Sequence, residues 1–263
     1  MTIVTLGCSF TAQYHKDVNP WPKIVEDKTG IPVVNYGWCG SGNKYSFDAL
    51  INHLKQGREV DTVYWLMTEF DRMDTIGLIK PNVTGNFFSL RPYPTGKDPE
   101  NFLNLWKLGR SERLSQAGRD VNSDIEGRDL QRIKREIRLG RIMYQNISPL
   151  EFFDSNLKLV YLMQKVCEDY NIKLKVISGL KPLYTHDYKE MSFILKSKYI
   201  NKIDFTTVIG FPFYKEMMGI CAQDIKDWNE KYAISTKDPH PNQLGSDLLA
   251  DFFLGEKNIL DYR

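Results

Sequence analysis

The sequence predicts an α/β protein in which a parallel sheet carries helices on both faces. Three observations predict it. Short apolar runs alternate with segments of helical spacing along most of the chain. The length, 263 residues, suits one large α/β domain. Hydrophobic residues make up 42%, enough for a sizeable core, and charged residues 26%, ordinary for a water-facing surface.

Residues 3–6 (IVTL) form the first expected strand. A helix follows over 22–28, opened by Trp21 and Pro22 and closed by Gly30, because proline suits a first helical turn and glycine a left-handed stop. Residues 32–36 (PVVNY) are the second strand and 37–43 (GWCGSGN) a glycine-rich loop. Over 45–55, Phe47, Leu50, Ile51 and Leu54 fall at helical spacing. Residues 61–67 (DTVYWLM) are the third strand. The pattern then loosens: prolines 81, 92, 94 and 99, with glycines 77, 85 and 96, give loop chemistry over 74–105. Residues 107–141 hold ten Lys/Arg against six Asp/Glu, and 128–141 read as an exposed basic helix. Such a run is a solvated face, with a binding face for an acidic polymer or partner chain as the alternative. Residues 74–145 are thus a long insertion after strand three, within a single domain over 1–263. A long helix over 150–170, a strand over 174–178, a fifth strand or lid-leading segment over 205–209, helical spacing over 220–232 and a terminal helix over 243–253 complete the order.

Composition excludes several function classes. A net charge of +2 gives no reason to expect a nucleic-acid partner. No apolar run reaches the roughly 18 residues of a membrane span. The N-terminus lacks the basic and apolar regions of a signal peptide, so the expected location is cytoplasmic or virion-associated. Cys8, Cys39, Cys167 and Cys221 are scattered without a C-x-x-C pair, which points to reduced thiols and to no zinc or other metal. No cofactor is expected.

In open parallel sheets, ligands sit beyond the carboxyl ends of the strands. Ser9 stands there, in Gly7-Cys8-Ser9-Phe10-Thr11. It reads as a turn cap or as a nucleophile. His240 lies in Asp238-Pro239-His240-Pro241-Asn242, where two prolines stiffen the backbone around an imidazole next to a carboxylate, as a general base requires. Its other reading is a surface turn, with Asn242 capping the last helix. The loop over 37–43 offers backbone N–H groups to an oxyanion or a phosphate, or is a plain strand-to-helix turn.

The order of these three features resembles the SGNH (GDSL-type) hydrolase superfamily, through short blocks spread over the chain. LGCSFT resembles its first block, NYGWCGSGN its second and DPHPNQLG its fifth. The resemblance implies a three-layer α/β/α, flavodoxin-like fold and a serine esterase. Ser9 would be nucleophile and oxyanion donor, Gly40 a second donor, His240 the base and Asp238 its partner. It implies ester cleavage through an acyl-enzyme, on acyl groups of a carbohydrate or another small ester. Three departures stand out. Cys8 replaces the Asp of Gly-Asp-Ser. Asp238 precedes His240 by two residues where the family has three, a spacing that falls here on Lys237. After strand three the chain reads Met67-Thr68-Glu69-Phe70-Asp71-Arg72, with no Asn, so Thr68 or Arg72 would replace the third donor. Losing such a donor costs about 10²–10³ in rate. Asn43 and Arg72 are expected to contact substrate. Compact GCSFT…DxHP forms also resemble phage-encoded proteins. The alternative is therefore a scaffold with weak or lost catalysis, in a structural or glycan-binding role, whose partners would be virion subunits or further copies of this chain.

Overall fold

The computed structural model describes residues 1–13, 15–68, 73–76, 87–90, 149–178, 197–209, 225–236 and 238–262. Its centre is a five-stranded sheet of β1 (Ile3–Gly7), β2 (Val33–Asn35), β3 (Thr62–Met67), β6 (Lys173–Ser178) and β7 (Val208–Ile209). The order is β2-β1-β3-β6-β7 and every pairing is parallel. Counting the sheet strands alone, this is the 2-1-3-4-5 order of flavodoxin-like folds, whose ligand crevice opens where the chain reverses direction across the sheet, between the first and third strands.

Alternation along the strands builds two cores. Val63, Trp65 and Met67 of β3 pack with α2 (Asn43–Lys55) and α3 (Pro149–Asp169), through Leu50, Leu157, Val160 and Met163. Tyr64 and Leu66 face the other way, onto α1 (Trp21–Thr29) and α4 (Gln243–Leu254), through Trp21, Val25, Leu249 and Phe253. A sheet buried on both faces, with helices over each, is the expected three-layer α/β/α sandwich. The helix ends follow their sequence signals. Pro22 sits in the first turn of α1, and Gly30 ends it at φ 67° with its N–H on Glu26 O at 2.8 Å. Asn242 caps α4, its side chain accepting from Gly245 N at 3.0 Å.

Three segments differ from the sequence reading. Within the stretch expected to be loop, β4 (Met73–Ile76) and β5 (Phe87–Leu90) pair as an antiparallel hairpin. Both are proline-free and rich in β-branched or aromatic residues, which suits a short ladder. The expected helix over 220–232 is described from residue 225 and holds a single π-helical turn, Trp228–Tyr232. The turn expected before the last helix is a second hairpin, β8 (Ala233–Ser235) against β9 (Asp238–Pro241). The basic segment over 128–141 lies outside the described residues. Among the described residues no helix is long and apolar enough to cross a membrane.

Candidate active site

Ser9 follows β1 directly. Cys8 O accepts the N–H groups of Thr11 and Ala12, each at 3.0 Å, which closes a tight turn with Ser9 near its start. Gly7 enters that turn at φ +154°, and a Cβ there would sit 2.2 Å from Thr11 Oγ1 and 2.8 Å from Leu66 O. Glycine is therefore required by close packing and by backbone conformation together. Cys8, where the resemblance expects Asp, is buried in the core under α1 and α4.

His240 arrives from the opposite end of the chain. Its Nε2 is 2.8 Å from Ser9 Oγ. Its Nδ1 is hydrogen-bonded to Asp238 Oδ1, which also accepts the His240 backbone N–H at 3.2 Å. With the Nδ1 proton on the carboxylate side, Nε2 is free to accept the serine proton. The two-residue spacing has a simple cause. Asp238 and His240 both lie on β9, and a strand places residues i and i+2 on one face. The intervening Pro239 turns its carbonyl to Trp228 Nε1, which donates at 2.9 Å. Asn242 braces the hairpin from below, donating to Lys231 O and Ala233 O at 2.9 Å each. Phe10 packs on the imidazole at 5.1 Å between centroids and stacks on Trp228 at 6.2 Å. Ser9 is 7% exposed and His240 9%, so the pair sits in a largely water-excluded setting.

The glycine-rich loop wraps the same turn. Trp38 N donates to Gly7 O at 3.0 Å, and Ser41 Oγ donates to Trp38 O at 2.8 Å. A Cβ on Gly37 would lie 2.5 Å from Ala12 N, so this loop has no room for a side chain there. Gly40 is exposed at φ +84°. Among the described residues no acceptor takes the backbone N–H of Ser9 or of Gly40. The phosphate reading of the loop does not survive. The start of α2 is already occupied by the Asp74 carboxylate, which accepts from Gly42 N at 2.6 Å and Tyr45 N at 2.7 Å. Those N–H groups are therefore already spent and not open to a phosphate.

Asn43 is a correction as well. The expected substrate contact is 1% exposed and its amide is spent on the scaffold. Its Oδ1 accepts from Thr68 N at 2.9 Å, and its Nδ2 donates to Thr68 O at 3.1 Å and Asn156 Oδ1 at 2.8 Å. Asn156 was not singled out by the sequence, and no local signal marks it. Thr68 lies buried at the exit of β3, with its backbone N–H committed to Asn43. Arg72 and Lys237 lie outside the described residues, as do His186 and Cys221. Of the remaining histidines, His15 accepts from Asp17 N at 3.3 Å, and His53 is buried against Tyr36 OH at 2.9 Å. Burial pushes the His53 pKa down, which marks a neutral core histidine. Burial pushes the Cys167 thiol up to about 12, too high for a nucleophile at neutral pH. A groove of about 840 Å³ opens at the opposite, amino-terminal edge of the sheet, between Met1, Arg58, Asp61, Tyr170 and Lys173, and contains none of the expected site residues.

No family model and no curated protein matches the chain. Solved structures do. The psychrotrophic esterase EstA from Pseudoalteromonas sp. is 15% identical over 97% of this chain and 94% of its own, with a TM-score of 0.44. The acetyl xylan esterase AlAXEase is 12% identical over 97% and 99%, with a TM-score of 0.42. A protein assigned to the lipolytic G-D-S-L family, from Desulfitobacterium hafniense DCB-2, is 13% identical over 96% and 97%, with a TM-score of 0.41. Each of these alignments spans nearly the whole of this chain.

Proposed function

We propose that this chain is a serine ester hydrolase of the SGNH type. One observation carries the reading: Ser9 Oγ is 2.8 Å from His240 Nε2, whose other nitrogen is held by Asp238. In that arrangement His240 takes the Ser9 proton as Oγ attacks the ester carbonyl carbon. The imidazolium formed is stabilised by Asp238. The carbonyl oxygen becomes an oxyanion facing the N–H groups of Ser9 and Gly40. Collapse expels the alcohol, which receives the proton from His240, and leaves an acyl group on Oγ. Water then repeats the sequence, His240 acting first as base and then as acid, to release the carboxylic acid and restore Ser9.

The substrate is an acyl group on a carbohydrate or other small ester. Trp38 supports the carbohydrate side: it is 51% exposed, and its backbone is tied to the Gly7 carbonyl just before the Ser9 turn. Trp21, Trp65 and Trp228 are all buried. An exposed indole on a loop tied to the nucleophile's turn offers a flat apolar platform to a sugar ring. The test is hydrolysis of p-nitrophenyl acetate and butyrate, and of acetylated sugars, by wild type, S9A and H240A. Wild-type turnover should fall to background in both variants. Wild type no faster than S9A on all of these substrates sinks the esterase and leaves the non-catalytic scaffold.

A further inference from the structure

Asn43 grips more backbone than a loop residue should. Its amide pairs with both the N–H and the C=O of Thr68, where β3 leaves the sheet. The ladder between β3 and β6 ends at Met67 opposite Ser178. Beyond that pair a buried peptide group needs another partner, and the Asn43 amide stands in for one further strand residue. The Thr68 peptide fixes which way the amide faces, since its N–H needs Oδ1 and its C=O needs Nδ2, and Asn156, buried on α3, accepts a second bond from Nδ2. Only Nδ2 can donate to Asn156 Oδ1, and a flipped amide would set oxygen against oxygen there and at Thr68 O.

Asn43 is also the first residue of α2, three positions after Gly40. Thr68 lies two residues past Leu66, which is paired with Gly7, itself two residues before Ser9. One side chain therefore joins the Gly40 loop to the strand end beside the Ser9 turn. We infer that Asn43, backed by Asn156, is the positioning residue of the oxyanion side of the site, holding Gly40 and Thr68 in one frame. It touches no reacting atom. The resemblance expects an asparagine after strand three. Here an asparagine from α2 holds that strand exit instead. The inference rests on the serine-hydrolase reading above.

The test is the rate at which a fluorophosphonate probe modifies Ser9, followed by intact mass with the label located by peptide mapping. In that reaction Oγ bonds to phosphorus, fluoride leaves, His240 takes the proton, and the phosphoryl oxygen occupies the oxyanion position. Wild type, N43A, N43D and N156A are compared, with p-nitrophenyl acetate kinetics on the same samples. N43A and N43D should label at least about tenfold more slowly, as expected when a supporting contact lets donors shift. In both, kcat should fall by a similar factor while KM stays within about twofold, because ground-state binding is untouched. N43D should lose more, since its carboxylate faces two oxygens. N156A should lose about threefold, having freed the amide without removing it. The pH profile should keep its midpoint, because His240 and Asp238 are unaltered. Equal labelling in wild type and both Asn43 variants overturns the positioning role. So does a loss confined to KM, or one that only tracks melting temperature. If both Asn43 variants fail to fold, N156A decides, and an unchanged rate there overturns it. A wild type that is never labelled at Ser9 removes the serine-hydrolase reading itself, and the positioning role with it.

Discussion

Ser9 and His240 meet at 2.8 Å but arrive on different supports. The serine turn extends β1, which is paired on both sides by β2 and β3. Its surroundings are backbone and the Thr11 side chain, packed so closely that neither Gly7 nor Gly37 can carry a Cβ. The histidine rides on β9, which among the described residues pairs with β8 alone and is not part of the main sheet. What holds it there is largely side chain: Trp228 on Pro239 O, Asn242 on Lys231 O and Ala233 O, and Ser235 Oγ accepting from Asp238 N. The serine side is thus limited by volume, the histidine side by polar contacts. A substitution that adds atoms should damage the first, and one that only removes a polar atom should damage the second.

The largest expected effect is chemical and falls on the histidine side. In D238N an amide replaces the carboxylate beside Nδ1. An amide N–H there leaves the proton on Nε2, the tautomer that cannot accept from Ser9. Turnover of p-nitrophenyl acetate should fall by about 10⁴-fold, with the melting temperature nearly unchanged. More than a tenth of wild-type kcat in D238N shows that the carboxylate does not set the tautomer. The counterpart on the serine side is G7A. A Cβ at Gly7 meets the Leu66 carbonyl, which is fixed in the sheet, and takes a φ that side chains avoid. Urea unfolding should show a loss of about 3 kcal/mol from overpacking and backbone strain together. A loss below about 1 kcal/mol would mean the turn can shift, and the volume limit would be wrong.

The same contrast governs what could be read from the chain. The strands of the main sheet and the helices that alternate with them were legible, because each depends on residues near one another in sequence. The places of Ser9 and Gly40, each beyond the end of a strand, were legible because those strands were expected. The Asp238 spacing looked irregular when residues were counted along a loop. It becomes regular once β9 is a strand, but four residues with two prolines give no strand signal. Asn43 was misread because its place beside three glycines suggests a ligand-facing loop. Its partners lie 25 and 113 residues away, beyond the reach of any local pattern. The Asp74 carboxylate on α2, 32 residues from Gly42, was hidden for the same reason.

A smaller effect separates the two jobs of Asn242. Its Oδ1 caps α4, while its Nδ2 holds the π-helical turn that leads into β8, the partner strand of β9. N242A removes both and should cost about 1–2 kcal/mol, with kcat lowered as His240 loosens. N242D keeps the capping oxygen and loses both donors. If side-chain contacts position the histidine, N242D should lower kcat at least as far as N242A although it keeps the cap, because its carboxylate faces two carbonyl oxygens. Recovery of kcat in N242D would mean that strand pairing alone places His240, and the comparison between the two sides would fail.

The smallest effect belongs to the exposed rim of the serine side. Trp38 is tied to Gly7 by its backbone, so removing its indole should leave the turn intact. If the indole is a platform for a sugar ring, W38A should raise KM for an acetylated sugar by about fivefold, the worth of one good stacking contact of about 1 kcal/mol. W38F should restore most of that binding, and kcat should not move in either variant. Hydrolysis of p-nitrophenyl acetate supplies the control that makes the result specific, since this substrate lacks the sugar. A KM that rises equally for both substrates shows that Trp38 shapes the Ser9 turn rather than the leaving group's seat. A KM that moves for neither removes the argument for carbohydrate while leaving the Ser9–His240 chemistry standing.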